Sequence, residues 1–287
     1  MKGIILAGGT GSRLWPITKV TSKQLLPVYD KPMIYYPLAT LMLAGVREIL
    51  IITTPHDQSA FETLLGDGSQ FGIQIEYAIQ PKPEGLAQAF IIGETFLNGD
   101  SCLMILGDNI FHGAGLGHEL QNVLPKSGAH IFTYEVADHT QYGILTIGDG
   151  GYPLAIHEKP KNSDSKMAVT GLYYFDDSVV NRAKEVKPSP RGELEITSLI
   201  ESYLNEEKLT YTSLSRGTAW LDTGNPDSMH DAGTYIRVIE ERTGLKIACL
   251  EEIAWRNGWL TKDQLQQSVS TLGSSSYGQY LSNLASK

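Results

Sequence analysis

Cysteine is scarce: the chain has two, Cys102 and Cys249, among 287 residues. Each sits in an apolar stretch, the usual setting for a reduced, packed thiol. Two cysteines cannot staple a chain this long, and no Cys/His group has zinc-ligand spacing. Long hydrophobic runs are missing too, since no stretch approaches the ~20 apolar residues that a membrane span requires. One lysine and the run Ile4-Ile5-Leu6-Ala7 precede Gly8-Gly9. That is too little for a secretory leader, so a cytoplasmic location is expected. Positive charge is also in short supply: 23 Lys and Arg face 32 Asp and Glu, for a net charge of −9. A nucleic-acid binder needs a basic footprint. Neither nucleic acid nor a membrane is therefore an expected partner. Small anions in a locally positive pocket remain open.

What is present is ordinary for a globular protein: 41% hydrophobic and 19% charged residues. Apolar runs at 3–7, 48–54, 73–78, 101–107 and 130–136 read as strands. Helical patterns at 32–44, 57–65, 84–97 and 115–124 lie between them. This alternation predicts an α/β fold, a Rossmann-like, mostly parallel central sheet flanked by helices. After residue 137 short strands at 143–148, 153–158, 168–176 and 209–215 mix with helices at 178–186 and 194–206. They read as a mixed region added to the same sheet. From 226 the pattern is helical, over 226–243, 250–257, 261–271 and 277–285. No repeat or long linker divides the chain.

The first strand stops at Gly8-Gly9-Thr10-Gly11, with Arg13 just beyond and Lys23 ten residues further on. Glycines at such a turn let backbone N–H groups approach a ligand. The dinucleotide fingerprint fails, because Leu14 stands where its third glycine belongs, and no P-loop Gly-Lys-Ser/Thr follows. A tight turn without a ligand explains the glycines alone equally well. Either charge alone reads as a solvated surface group, but Arg13, whose guanidinium can fork onto phosphate oxygens, and Lys23 together with the loop tip the balance toward phosphate.

Leu6-Ala-Gly-Gly-Thr-Gly-Ser-Arg-Leu14 followed by Ser22-Lys-Gln-Leu-Leu-Pro27 resembles the signature of the sugar-1-phosphate nucleotidylyltransferases. Further matching segments follow in that family's order. They include Asp30-Lys31-Pro32-Met33, Gln80-Pro81, Gly85-Leu86-Ala87, Gly107-Asp108-Asn109, Tyr142-Gly143, Glu158-Lys159-Pro160, Thr170-Gly171 and Trp220-Leu221-Asp222. Within the family the likeness is strongest to members that use dTTP and glucose 1-phosphate, and Lys187–Thr197 adds to it.

The resemblance implies one nucleotidylyltransferase unit over 1–287. Residues 1–137 would be its nucleotide-binding core, 138–224 a sugar-phosphate-binding part, and 225–287 a helical oligomer contact. It implies Mg²⁺-dependent transfer of a thymidylyl group from dTTP to α-D-glucose 1-phosphate by direct in-line displacement. The products would be pyrophosphate and dTDP-glucose, a supply for deoxysugars such as dTDP-rhamnose and for surface polysaccharide. Gly8, Gly9, Thr10, Gly11 and Ser12 would line the triphosphate. Arg13, Lys23 and Asp108 would be catalytic, with Asp108 and Asp222 holding the metal. Gln24, Gln80, Pro81 and Gly85 would meet the base or its surroundings. Asn109, Gly143, Glu158, Lys159, Val169 and Tyr173 would meet the sugar phosphate. A homotetramer is implied, with a second nucleotide site drawing on Gly115, His118, Glu252, Ile253 and Arg256.

Two alternatives stay open. One is a related enzyme using UTP, because one methyl group separates thymine from uracil. The other is a binding subunit without catalysis, disfavoured by the presence of Arg13, Lys23 and Asp108. The seven histidines form no metal or nucleophile pattern. Ser12 and Ser22 lie outside any G-x-S-x-G elbow, so acyl chemistry has no support.

Overall fold

In a computed structural model, which describes residues 1–286, the first apolar run forms strand β1, Lys2–Ala7. Two short strands, β2 (Pro27–Val28) and β3 (Lys31–Pro32), make a hairpin that leads into helix α1 (Tyr35–Leu43). Strand β4 (Glu48–Thr53), helix α2 (Gln58–Leu65) and strand β5 (Gln74–Ile79) follow. Next come helices α3 (Gln88–Ile92) and α4 (Glu94–Leu97), strands β6 (Cys102–Leu106) and β7 (Asn109–His112), helix α5 (Leu116–Val123) and strand β8 (Ala129–Glu135). The middle of the chain supplies β9 (Gly143–Ile147), β10 (Pro153–Glu158), the long β11 (Met167–Phe175), helices α6 (Val179–Glu185) and α7 (Ile196–Leu204), and strands β12 (Leu209–Ser213) and β13 (Ala219–Asp222). Four helices end it: α8 (Pro226–Thr243), α9 (Leu250–Arg256), α10 (Lys262–Leu272) and α11 (Ser276–Ala285).

Nine strands form one sheet. β1 lies parallel to both β4 and β6, and β5 is parallel to β4. β1, β4 and β6 are near-continuous apolar runs because both faces are covered. On one face Ile5, Ile49, Ile51, Leu103 and Ile105 pack with Leu38, Phe61 and Leu120 from α1, α2 and α5. On the other, Ile4, Leu50, Ile52 and Met104 meet Phe90, Val179 and Leu199 from α3, α6 and α7. Each of these isoleucines and leucines truncated to alanine would cost about 2–5 kcal/mol.

The added region does join the same sheet, through β11. Leu172–Phe175 pair antiparallel with β6, whereas Met167 and Ala168 pair with β9 on that same side. β8 runs along the opposite edge of β11, with a register shift between Val169 and Tyr173. The sheet therefore forks near Thr170-Gly171, and the fork opens a gap between β6 and β9.

Three expectations need correction. The helix expected over 32–44 starts at Tyr35, because Lys31 and Pro32 pair with β2. The helix expected over 84–97 is two short ones divided at Gly93, and residues 84–87 are non-helical. Their backbone is bonded elsewhere: Leu194 donates to the Glu84 carbonyl at 2.7 Å, and Ala87 donates to the Leu194 carbonyl at 3.1 Å. Strands β7 and β13 were not anticipated as a pair. They form a separate two-stranded sheet that sets Asp222 opposite Asn109.

α8 starts directly behind that sheet. The Asn225 side chain accepts from the Ser228 N–H, the Ser228 hydroxyl receives the Asn225 N–H, and Pro226 opens the helix. Such a cap contributes about 1 kcal/mol and pins the helix start to the strand before it. At the C-terminal end α10 and α11 enclose Cys249, Leu265, Tyr277 and Leu281. Among the described residues no helix is long and apolar enough to cross a membrane.

Candidate active site

β4 and β6 flank β1 on opposite sides, so the carboxyl ends of β1 and β6 border a topological switch point. Leu6 pairs with Leu106, and Gly107 donates to the Leu6 carbonyl at 3.0 Å. The glycine loop and Asp108 consequently leave the sheet side by side. The loop is closed by two donors on one carbonyl, with Leu14 N at 2.9 Å and Thr18 Oγ1 at 2.7 Å from the Gly11 oxygen.

Lys23 reaches Asp108 from a short helical turn and forms an ion pair with its Oδ2. Asn109 Nδ2 donates to Asp108 Oδ1 at 3.0 Å. Burial pushes the Asp108 pKa up, but the Lys23 charge and these hydrogen bonds outweigh it, so the group is held below its ordinary value. Asp222 is shifted the other way. Burial raises its pKa, the Asp108 charge raises it further, and Lys23 and Arg13 offset this only in part. Two carboxylates thus share a buried corner with too little positive charge. A divalent cation fits that deficit, since a small hard ion takes one or two carboxylates plus phosphate oxygens and water. Among the described residues no third His, Cys, Asp or Glu joins them. Arg13 is exposed and folds over Gly224, where a Cβ would sit 3.2 Å from its Nη1 and from Asp222 Oδ1.

A cavity of about 630 Å³ runs from this corner into the fork of the sheet. Gly9, Thr10, Gly11, Ser12, Arg13, Lys23, Gln24, Asp108 and Asp222 line one end. Gly143, Glu158, Lys159, Val169 and Tyr173 line the other, and Gln80, Gly85 and Asn109 also border it. Two expected residues lie outside the lining. Pro81 is on the surface, and Gly8 is covered by Gln80, whose Oε1 would be 2.2 Å from a Cβ there.

Two of the expected residues are also fixed by contacts within the fold. Gly85 (φ +107°) has no room for a side chain, because a Cβ would lie 2.4 Å from the backbone N and O of Leu194. Asn109 is braced on three sides: its Oδ1 accepts from Trp220 Nε1 at 2.6 Å and Gly171 N at 3.2 Å, while Nδ2 serves Asp108. It ties the fork to β7 and β13. Gln80 is oriented by a relay, donating to Gln88 Oε1 at 2.7 Å, and Gln88 donates to Glu84 Oε2 at 2.7 Å. Burial, followed by nearby carboxylates, pushes the Tyr173 phenol up, so it stays neutral.

The end of the cavity with Glu158 and Lys159 also holds Arg191, from the segment Lys187–Thr197. Arg191 lies 2.9 Å from Glu195, 3.5 Å from Glu158 and 3.7 Å from Glu193. Arg191, Glu195 and Thr197 all line the cavity, as do Tyr142 and Trp220, whose rings are 5.0 Å apart. A charge run in a loop gives no spacing signal, so only the fold assembles them. The residues expected at a second nucleotide site lie apart from this cavity. Gly115 and His118 sit at the start of α5, and Arg256 pairs with Glu252 within α9 at 2.7 Å.

The chain matches the nucleotidyl transferase family model over residues 2–237. It is 55% identical to a glucose-1-phosphate thymidylyltransferase of Neisseria gonorrhoeae over 289 residues, covering all of both chains. It is 53% identical to one of Mycobacterium tuberculosis over 284 residues, 99% of each chain. A Bacillus anthracis structure assigned as a glucose-1-phosphate thymidylyltransferase and solved with sucrose superposes with a TM-score of 0.76 at 42% identity, covering 83% of this chain and 95% of that one. A UDP-glucose pyrophosphorylase solved with UDP-glucose shares the fold, with a TM-score of 0.72 at 23% identity over 83% of this chain and 98% of that one. The chain belongs to the nucleotidyl transferase family, and within it to the glucose-1-phosphate thymidylyltransferases.

Proposed function

We propose that this chain joins dTTP and α-D-glucose 1-phosphate into dTDP-glucose and releases pyrophosphate. One observation carries the reading: a single cavity has the glycine loop with Lys23 and two carboxylates at one end, and Glu158, Lys159 and Arg191 at the other. Two anions that repel each other need that division of positive charge to meet.

A phosphate oxygen of the sugar attacks the α-phosphorus in line. The bond from that phosphorus to the bridging oxygen breaks, and pyrophosphate leaves with the electron pair. No protein nucleophile is required. Backbone N–H groups of Gly9–Ser12 cradle the triphosphate, and Arg13 grips the leaving group. Lys23 neutralises charge at the α-phosphate. Glu158 accepts from sugar hydroxyls, and Lys159 and Arg191 hold the sugar's phosphate. Gln80, fixed by Gln88, faces the base. Asp108 and Asp222 would hold Mg²⁺, which when bound neutralises the triphosphate and polarises its α-phosphorus. Strands from both 1–137 and 138–224 join the nine-stranded sheet, which supports reading them as one unit. We read 225–287 as contact surface in a symmetric homotetramer, with the product feeding deoxysugar synthesis.

The test is pyrophosphate release with Mg²⁺ across dTTP, UTP, CTP, ATP and GTP against glucose, galactose, mannose and N-acetylglucosamine 1-phosphates. Strong release is expected for dTTP with glucose 1-phosphate. Equal release along the UTP row would reassign the base, and a blank grid from folded protein would reject group transfer.

A further inference from the structure

Away from the cavity, four charged side chains meet between the β2–β3 hairpin and the far end of α8. Lys31 bonds to Asp30 and, at 3.0 Å, to Glu240 Oε1. Lys246 bonds to Asp30 and, at 2.7 Å, to Glu240 Oε2. The Ile247 N–H adds a bond of 2.9 Å to Glu240 Oε1. The Lys31 and Glu240 side chains are only 2% and 4% exposed. Two positive and two negative charges are thus buried together, in balance. Lys31 also lies 5.3 Å above the Tyr36 ring.

Burial of such a group is costly, and well-packed apolar replacements of buried ion pairs are often neutral or stabilising. The attested benefit is register. Register is what this junction lacks otherwise, because Val28, Met33 and Tyr36 meet Ala232 and Ile236 of α8 through apolar contact alone. Such contact is non-directional. Both clamped elements run to the active site. At the hairpin's base the Ile34 N–H donates to the Gln24 carbonyl at 2.9 Å, next to Lys23. Thr223, beside Asp222, donates to the Asp108 carbonyl at 2.8 Å and lies 3.2 Å from Met33 Sδ. α8 begins at Pro226, just behind Asp222, and Glu240 lies about 21 Å along it at 1.5 Å per residue. A helix moves as a rod, so sliding at Glu240 becomes displacement at Asp222.

We propose that Asp30, Lys31, Glu240 and Lys246 are positioning residues that set Asp222 against Asp108 and Lys23. The inference rests on the reading of Asp108 and Asp222 as holders of the divalent ion. The decisive variant is Lys31→Met with Glu240→Gln, which removes one charge of each sign and leaves the Asp30–Lys246 pair. Mn²⁺ binding in the presence of dTTP is read from free Mn²⁺ by electron paramagnetic resonance, beside Tm, kcat and KM. Weakening of Mn²⁺ binding by about 10-fold is expected, the size typical when groups behind metal ligands are altered. A matching fall in kcat should accompany it, with Tm and the KM for glucose 1-phosphate close to those of the parent. Mn²⁺ binding and kcat within twofold of the parent would overturn the proposal. If that variant does not fold, Asp30→Asn with Lys246→Gln is judged by the same two outcomes. A parent whose Mn²⁺ binding survives Asp222→Asn overturns the metal reading itself. Loss with Asp222→Asn but not with the charge variants overturns only the positioning role.

Discussion

At the glycine-loop end of the cavity, the Lys23 and Asp108 side chains are 10% and 16% exposed; at the opposite end Lys159 and Arg191 are each 47% exposed. The first pair hangs from the ends of central parallel strands and from a turn bonded to the hairpin. The second rides on loops and is shared among Glu158, Glu193 and Glu195. Charges act more strongly where water is excluded, and exposed ones are screened by salt. The buried end is therefore suited to stabilising charge that develops during reaction. The open end is suited to recognising a substrate that must enter and leave.

The sharpest break of that comparison is Asp108→Asn. It should lower kcat by about 10³-fold, the upper range for removing one preorganised electrostatic group. Circular dichroism and Tm should show a retained fold, and near-normal turnover would remove Asp108 from the metal site. Lys23→Met comes next, with an expected loss of about 10²-fold in kcat. Its pH dependence carries more information. Lys23 is what outweighs burial at Asp108, so without it the Asp108 pKa rises and the acid limb of the activity profile moves toward neutral pH. The same linkage acts on stability. A depressed carboxylate pKa stabilises the fold above the unfolded value, and that stability is lost as pH falls through the folded one. An unmoved acid limb would assign it to another group.

At the open end, Lys159→Met should raise the KM for glucose 1-phosphate about 10-fold while leaving kcat within about threefold, since a charged hydrogen bond to substrate is lost in ground and transition states alike. A fall in kcat without a change in KM would erase the distinction between the two ends. The smallest effect is thermal. Asp222 has a raised pKa, so its ionisation costs stability at neutral pH and protonation relieves that cost as pH falls. Asp222→Asn should raise Tm by about 2–4 °C without added metal, while activity drops. A lower Tm would contradict the buried carboxylate conflict.

The central strands were legible because a parallel strand covered on both faces is a plain apolar run, as in Ile4–Ala7 and Cys102–Leu106. Asp108 was legible for the same reason, as the charged residue just past such a run. Short pairings were not: β7 and β13 are four residues each, and their partners lie from 107 (His112↔Ala219) to 113 (Asn109↔Asp222) positions apart, so no local pattern links them. The helix expected through 84–87 failed because Leu194, far along the chain, takes those backbone groups. Arg191 stood unmarked in a charged loop until the fork of the sheet turned that loop into a cavity wall.

By itself the sequence determined the α/β class and the course of the central strands, and it marked the glycine loop with Arg13 and Lys23 as the candidate anion site. These follow from periodicity, glycine placement and side-chain charge, which are local properties. Tertiary structure alone decided that Asp222 confronts Asp108, that Gly85 yields to Leu194 and that Lys31 is locked to Glu240. Those pairings join residues about 110 to 210 positions apart, and the free energy that brings them together comes from packing the whole core, not from any feature of the residues that meet.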